Sequence, residues 1–155
     1  RGYTFEAADA SFELLLRNEL GEQDPKYFTV QSWKATVEQD EKGLVTTQAT
    51  VKVNADGKNI EQAASGNGPV NALDKALRAA LEKIYPELNK LELIDYKVRI
   101  LEGVKGTGAV TRVLIETTDG NTQWDTVGVH ENVIAASWNA ISDAVTYGLL
   151  KANVK

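Results

Sequence analysis

The sequence contains no cysteine and no methionine, a single histidine, three prolines, and no two adjacent basic residues. Each shortage removes a class of chemistry. Without cysteine there is no disulfide, no thiolate nucleophile and no sulfur ligand for zinc or an iron–sulfur cluster, and one histidine cannot form a histidine cluster. Basic side chains number 17 against 22 acidic ones, a net charge of −5. Phosphate affinity rests on clustered Lys and Arg, so scattered basic residues under a negative balance argue against a nucleic-acid partner. No apolar stretch approaches the roughly 18 residues of a membrane span, and the chain does not open on a signal peptide. It therefore reads as a cytoplasmic protein with no membrane partner. A start at Arg1 with no methionine anywhere reads as a segment of a longer protein.

What is present is enough for one conventional core: 155 residues, 43% of them hydrophobic, a size that buries roughly 70% of its extended-chain surface. Phe5, Ala8, Phe12, Leu15 and Leu16 fall at helical spacing among Glu6, Asp9 and Glu13, predicting a short amphipathic lead helix that Gly21 and Pro25 end. From Tyr27 to Glu38 the residues alternate and are rich in aromatic and β-branched types, as a strand requires. A turn at Gln39–Gly43 leads to a second strand over Val45–Asn54, and Asp56-Gly57 is a hairpin signal before a third, Lys58–Ala64. The period then changes. Val70, Leu73, Leu77, Leu81 and Ile84 share one helical face, with Pro69 suited to the first turn and Pro86 as the stop. Beyond Pro86 the pattern restarts as strands over Leu93–Leu101, Ala109–Thr118 and Thr122–Val129. A last helix runs from about Asn132 to Leu150, with Ile134, Trp138, Ile141 and Val145 inward.

The two halves match. Trp33–Val37 aligns with Tyr96–Ile100 and Asp56-Gly57 with Asp119-Gly120 at an offset of 63, while Val70, Leu77 and Leu81 align with Ile134, Ile141 and Val145 at 64. The fold class that follows is α+β: a lead helix and linker over residues 1–26, then two pseudo-twofold-related βββα units, 27–89 and 90–155, with 27–85 expected to superpose on 93–150.

Gly66-Asn67-Gly68-Pro69 joins a strand to a helix, where free backbone N–H groups and the positive end of the helix dipole can hold an anion. It lacks the third glycine of a dinucleotide fingerprint and the Gly-Lys-Ser/Thr of a Walker loop. An ordinary turn with a proline-initiated helix explains the same residues, and the spacing leaves both readings open. Gly103–Gly108 joins two strands and reads as a hairpin loop. His130, ahead of the second helix, has no carboxylate or nucleophile at readable spacing and reads as solvent-facing. Trp33, Trp124 and Trp138 read as core or interface. No nucleophile, base and orienter can be assembled from these residues, so the segment reads as non-enzymatic.

Several segments together carry a resemblance: Gly2–Leu15 (GYTFEAADASFELL), Ala64–Leu73 (ASGNGPVNAL), Asp95–Ile100 (DYKVRI), Gly106–Ala109 (GTGA) and Thr126–Trp138 (TVGVHENVIAASW). They span nearly the whole chain, which is similar to the C-terminal regulatory (LeuA dimerisation, or allosteric) domain of the α-isopropylmalate synthase and citramalate synthase family. The Phe-Glu opening and the Asp-Tyr-Lys-Val-Arg strand resemble the citramalate synthase branch more than the leucine-pathway branch. The resemblance implies two βββα units pairing into a homodimer, with an end-product amino acid bound near the dimer interface. It also implies a parent whose attached TIM-barrel catalytic domain condenses acetyl-CoA with a 2-oxo acid using a divalent metal, while this domain needs no cofactor. The lead helix belongs, by the same resemblance, to the linker subdomain leading to the barrel.

The expected effector is a branched-chain amino acid, isoleucine first and leucine second, acting by feedback inhibition. The resemblance places its site among Gly66, Asn67, Gly68, Pro69, Ala72, Asp95, Tyr96, Thr107, Ala109, Asn132, Ile134 and Ala135. Gly66, Asn67 and Gly68 would anchor the carboxylate and Asp95 the ammonium. Ala72, Ala109, Ile134 and Ala135 would shape an apolar pocket. One departure is His130, which stands where relatives of this branch commonly carry a small residue such as serine. The alternative is a purely structural homodimerisation domain without ligand.

Overall fold

The computed structural model describes residues 9–20, 27–101 and 109–152. Its elements run α1 (Asp9–Glu19), β1 (Thr29–Gln39), β2 (Val45–Ala55), β3 (Lys58–Gly66), α2 (Pro69–Leu81), a short 3-10 helix (Pro86–Lys90), β4 (Glu92–Leu101), β5 (Val110–Thr118), β6 (Gln123–His130) and α3 (Val133–Lys151). The strands form two three-stranded antiparallel meanders, β1-β2-β3 and β4-β5-β6. The chain divides into two compact units: the first βββα set up to Asn89, and the second from Lys90 onward together with α1.

In the first unit, period-two alternation places Thr47, Ala49, Val51, Val53 and Ala55 of the central strand on one buried face, with their neighbours turned outward. Ile60, Gln62 and Ala64 of β3 pair with Val53, Val51 and Ala49 and so share that face. The helix α2 packs across β2 and β3. Its Val70, Leu73, Leu77 and Leu81 are buried as their spacing predicts, each large aliphatic side chain contributing about 1.5–3 kcal/mol. Asp56 and Gly57 both take positive φ, 52° and 74°, giving a two-residue hairpin turn whose twist suits the flanking strands. The helix stops at Leu81, earlier than Pro86 would require. The N–H groups of Ile84 and Tyr85 both bond back to the Leu81 carbonyl, tightening the chain so that Ile84 falls past the helix and Pro86 opens the 3-10 turn, which buries Leu88.

The second unit repeats the order. Register irregularities occur between Val30 and Ser32 in β1 and between Leu93 and Asp95 in β4, so the bulges also recur at an offset of 63. Each resets the alternation; in β4 this puts Tyr96, Val98 and Ile100 opposite Ile115, Val113 and Thr111. The hairpins differ. Around Asp119-Gly120 only Gly120 has positive φ, because the Asp119 carboxylate accepts the N–H groups of Asn121 and Thr122 at 2.9 and 2.7 Å and holds a wider loop. Those bonds also hold its carboxyl below the usual range. The helix α3 lies close on β6: Thr126 Oγ1 donates to the Ala140 carbonyl at 2.7 Å, and Trp124 Nε1 to that of Ala144 at 3.2 Å. A Cβ on Gly128 would collide with the Ala136 carbonyl. Trp124 and Trp138 are buried, as are Ile141 and Val145, while Ile134 is half-buried.

The lead helix departs from its apolar spacing. Ala10 and Ser11 are buried against β6 and α3, whereas Phe12, Leu15 and Leu16 are 53%, 40% and 43% exposed. Small side chains allow close approach to the body, and the Ser11 hydroxyl accepts the outward N–H of edge-strand residue Val127 at 2.9 Å. Phe5, Ala8, Gly21 and Pro25 lie outside the described residues.

Candidate functional site

Two helix starts carry most of the residues singled out from the sequence, and they differ in how their first-turn N–H groups are used. At α3, Asn132 is the N-cap, its Oδ1 accepting from Ile134 and Ala135 at 2.8 and 3.1 Å. That side chain occupies the donors an anion would use. His130 is exposed at the end of β6, its Nδ1 accepting the Asn132 N–H at 2.9 Å; it braces the cap.

At α2 the N-cap is Gly68, with φ 175° and ψ 173°, so no side chain caps this helix, and Pro69 takes the first position. Nothing lies within 4 Å of where a Gly68 Cβ would stand. This helix start is therefore closed by no side chain, and the place of a Gly68 Cβ is open. Gly66 has another role. Its missing Cβ would collide with Asn71 Oδ1 and lie 2.7 Å from the Ala72 nitrogen, so this glycine admits the helix's own first turn. Asn71 Oδ1 accepts the Asn67 N–H at 3.2 Å, and the Ala72 N–H donates to the Gly68 carbonyl at 2.9 Å. Ala72 is fully buried.

The remaining residues do not gather at one place in the second unit. Asp95 and Tyr96 are neighbours on β4 and point to opposite faces of the sheet. Tyr96 lies on the face that α3 covers, opposite Ile115. Asp95 lies on the outer face, its Oδ1 accepting the Tyr96 N–H at 2.9 Å. It stands at the far end of the strands from the start of α3, which adjoins the row of Thr111 and His130. Ala109 is exposed just before β5, and Thr107 lies outside the described residues, as do residues 103–106 and 108.

The outer face of the second sheet holds a concavity of about 690 Å³ that the sequence reading passed over. Asp95, Glu116 and Asp125 form one cross-strand row; Lys97 pairs with Leu114 in the next but one position, and Arg99 with Arg112 beyond it. Arg112 is only 7% exposed. The Asp-x-Lys-x-Arg alternation of residues 95–99 was the available signal, since period two sends all three charges to one face. Among the described residues no group of three or more His, Asp or Glu side chains is arranged to hold a metal ion, and no helix is long and apolar enough to cross a membrane.

The chain matches the LeuA allosteric (dimerisation) domain over residues 6–149. It is 65% identical over 153 residues to the (R)-citramalate synthase of Streptomyces coelicolor, covering 99% of this chain and 29% of that protein. With the (R)-citramalate synthase of Aquifex aeolicus the identity is 49% over 151 residues, 97% of this chain and 28% of the relative. A 2-isopropylmalate synthase of Shewanella frigidimarina is 31% identical over 135 residues, 86% of this chain and 23% of the relative. The chain thus spans less than a third of the length of these curated relatives.

Proposed function

The chain belongs to the LeuA allosteric (dimerisation) domain family, and on that premise we propose that it is the regulatory module of an acetyl-CoA-dependent 2-oxo acid acyltransferase, a citramalate synthase or 2-isopropylmalate synthase. It binds a branched-chain amino acid, isoleucine in preference to leucine, and so confers feedback inhibition on the attached catalytic barrel in the cytoplasm. The divalent metal and acetyl-CoA belong to that barrel, and this module takes no cofactor and performs no catalysis.

The observation that carries the reading is the start of α2, where a glycine cap leaves the first-turn amides without a capping side chain and the place of its own Cβ open. A carboxylate there gains about 0.3–2 kcal/mol from the helix terminus, and a buried branched side chain about 1.5–3 kcal/mol. With a few hydrogen bonds added, affinity falls in the range of roughly micromolar to millimolar, suited to sensing a metabolite pool. The Gly68 N–H and the first-turn N–H groups after Pro69 form the anchor, with Gly66 setting its shape, while the Asn67 N–H is spent on Asn71 Oδ1.

The module also pairs as a homodimer. The helix-side face of each first strand is poorly covered: α2 packs chiefly on β2 and β3, and α3 on β5 and β6. Tyr96, Val98 and Ile100 are 47%, 47% and 71% exposed on β4, and Trp33 occupies the equivalent place on β1, opposite buried Val51. Calorimetric titration with isoleucine and leucine tests the function. Saturable binding with isoleucine the tighter ligand is expected; no heat with any branched-chain amino acid would leave a structural dimerisation domain instead.

A further inference from the structure

One buried hydroxyl joins α1 to both β6 and α3. Ser11, 2% exposed, accepts the Val127 N–H at 2.9 Å through Oγ. The same oxygen lies 3.0 Å from Asp143 Oδ2 and 3.5 Å from the Val127 carbonyl. A serine hydroxyl has one hydrogen and two lone pairs, so it can donate to the carboxylate or to the carbonyl, never to both. One helical turn along α3 from Asp143, Tyr147 donates to Glu13 Oε1 at 2.9 Å, which fixes the register of α1 beside this junction.

The geometry points to a proton-linked latch: Ser11, Val127 and Asp143 seat α1 more firmly when Asp143 is protonated, and the seat loosens when that carboxyl ionises. With Asp143 ionised, the Ser11 hydrogen is committed to Oδ2 and the Val127 carbonyl loses that donor. When Asp143 takes a proton from solvent, its new O–H donates to Ser11 Oγ, and the Ser11 hydrogen turns to the Val127 carbonyl. Every atom of the trio then has a partner and no charge is buried. Burial pushes the Asp143 carboxyl up to about 6, against the opposing pull of the Ser11 hydroxyl. Ser11 meets this carboxyl from α1, so unseating the helix takes away its hydroxyl along with the cover α1 gives; with burial the larger of the two opposing effects, the seated state binds the proton more tightly. By linkage, seating is favoured below the folded value and weakens as pH rises through it.

Other charged groups stand around the junction. Among the described side chains of α1 these include Glu13 and Arg17, 3.9 Å apart. From α3 itself they are Tyr147 and Lys151, whose ammonium lies 5.6 Å from the Tyr147 ring centre. Arg112 and Glu116 of β5 and Asp125 of β6 sit on the sheet face away from α3, and His130 lies at the end of β6, bonded to Asn132.

Amide hydrogen exchange of the chain between pH 4.5 and 7.5, corrected for intrinsic rates, tests the latch. Protection of α1 should fall by up to about thirtyfold over this range as pH rises, the limit set by a shift from 3.8 to about 6, while protection of α3 and β5 holds. Asp143→Asn keeps a neutral donor beside Ser11 and should leave α1 protected at every pH. Ser11→Ala should lower α1 protection at every pH. A flat wild-type profile overturns the proposal, as does Asp143→Asn with the wild-type pH dependence. If Asp143→Asn loses protection throughout, the wild-type and Ser11→Ala profiles decide alone: Ser11→Ala protection equal to wild type contradicts the latch.

Discussion

Gly66 and Gly68 stand two residues apart in the same short motif and answer to different constraints. Gly68 is extended, a backbone region open to any residue, and its Cβ position is empty. Gly66 is pressed against Asn71 and the Ala72 nitrogen. Gly66→Ala should therefore cost about 1–3 kcal/mol through overpacking, lowering the melting temperature by several degrees. Gly68→Asp should melt at or slightly above wild type, since Asp is a good N-cap. Thermal melts of both variants check this, and equal losses would contradict the assignment. The sequence showed glycines at a helix start; it did not show which one clears space for the helix and which stands beside open space, because that depends on how closely α2 crosses β3.

At the level of elements, alternation and helical spacing carried most of the fold. The strands, their repeat at 63 residues and the inward faces of α2 and α3 were legible because a half-buried strand or helix must repeat with its own geometry. The recurrent bulge was less so, although the adjacent apolar pair Leu93-Ile94 ahead of Tyr96, Val98 and Ile100 records the phase change. The 3-10 turn at Pro86 was missed, since proline signals a helix stop and a new turn equally well. The lead helix misled for another reason: its inward side is chosen by the small residues Ala10 and Ser11 and a hydroxyl contact, which apolar spacing does not register. The two helix starts lead to a prediction. Asn132→Ala removes the acceptor for Ile134 and Ala135 and should cost about 1 kcal/mol. For a domain of this size that lowers the melting temperature by about 2–4 °C, as differential scanning calorimetry would show.

At the scale of the whole molecule, two of the surfaces left open among the described residues bear on the proposed function: the thinly covered apolar stripe of β4, with its counterpart on β1, and the start of α2, which no side chain caps. The first is the basis for the homodimer, and light scattering at micromolar concentration should report twice 16.9 kDa; a clean monomer would contradict it. The second is the basis for the sensing proposed above. A coupling of about 1–3 kcal/mol between effector and catalytic sites is typical of allostery, so losing effector binding can abolish feedback without touching the chemistry. The most direct test of the sensing claim is a pair of calorimetric isotherms with isoleucine, one on the wild-type chain and one on Gly68→Asp, each with its melting curve. Saturable binding by the wild type is expected and none by the equally stable variant, whose carboxylate competes for the α2 amides and repels the ligand's own. Normal isoleucine binding by Gly68→Asp would contradict it.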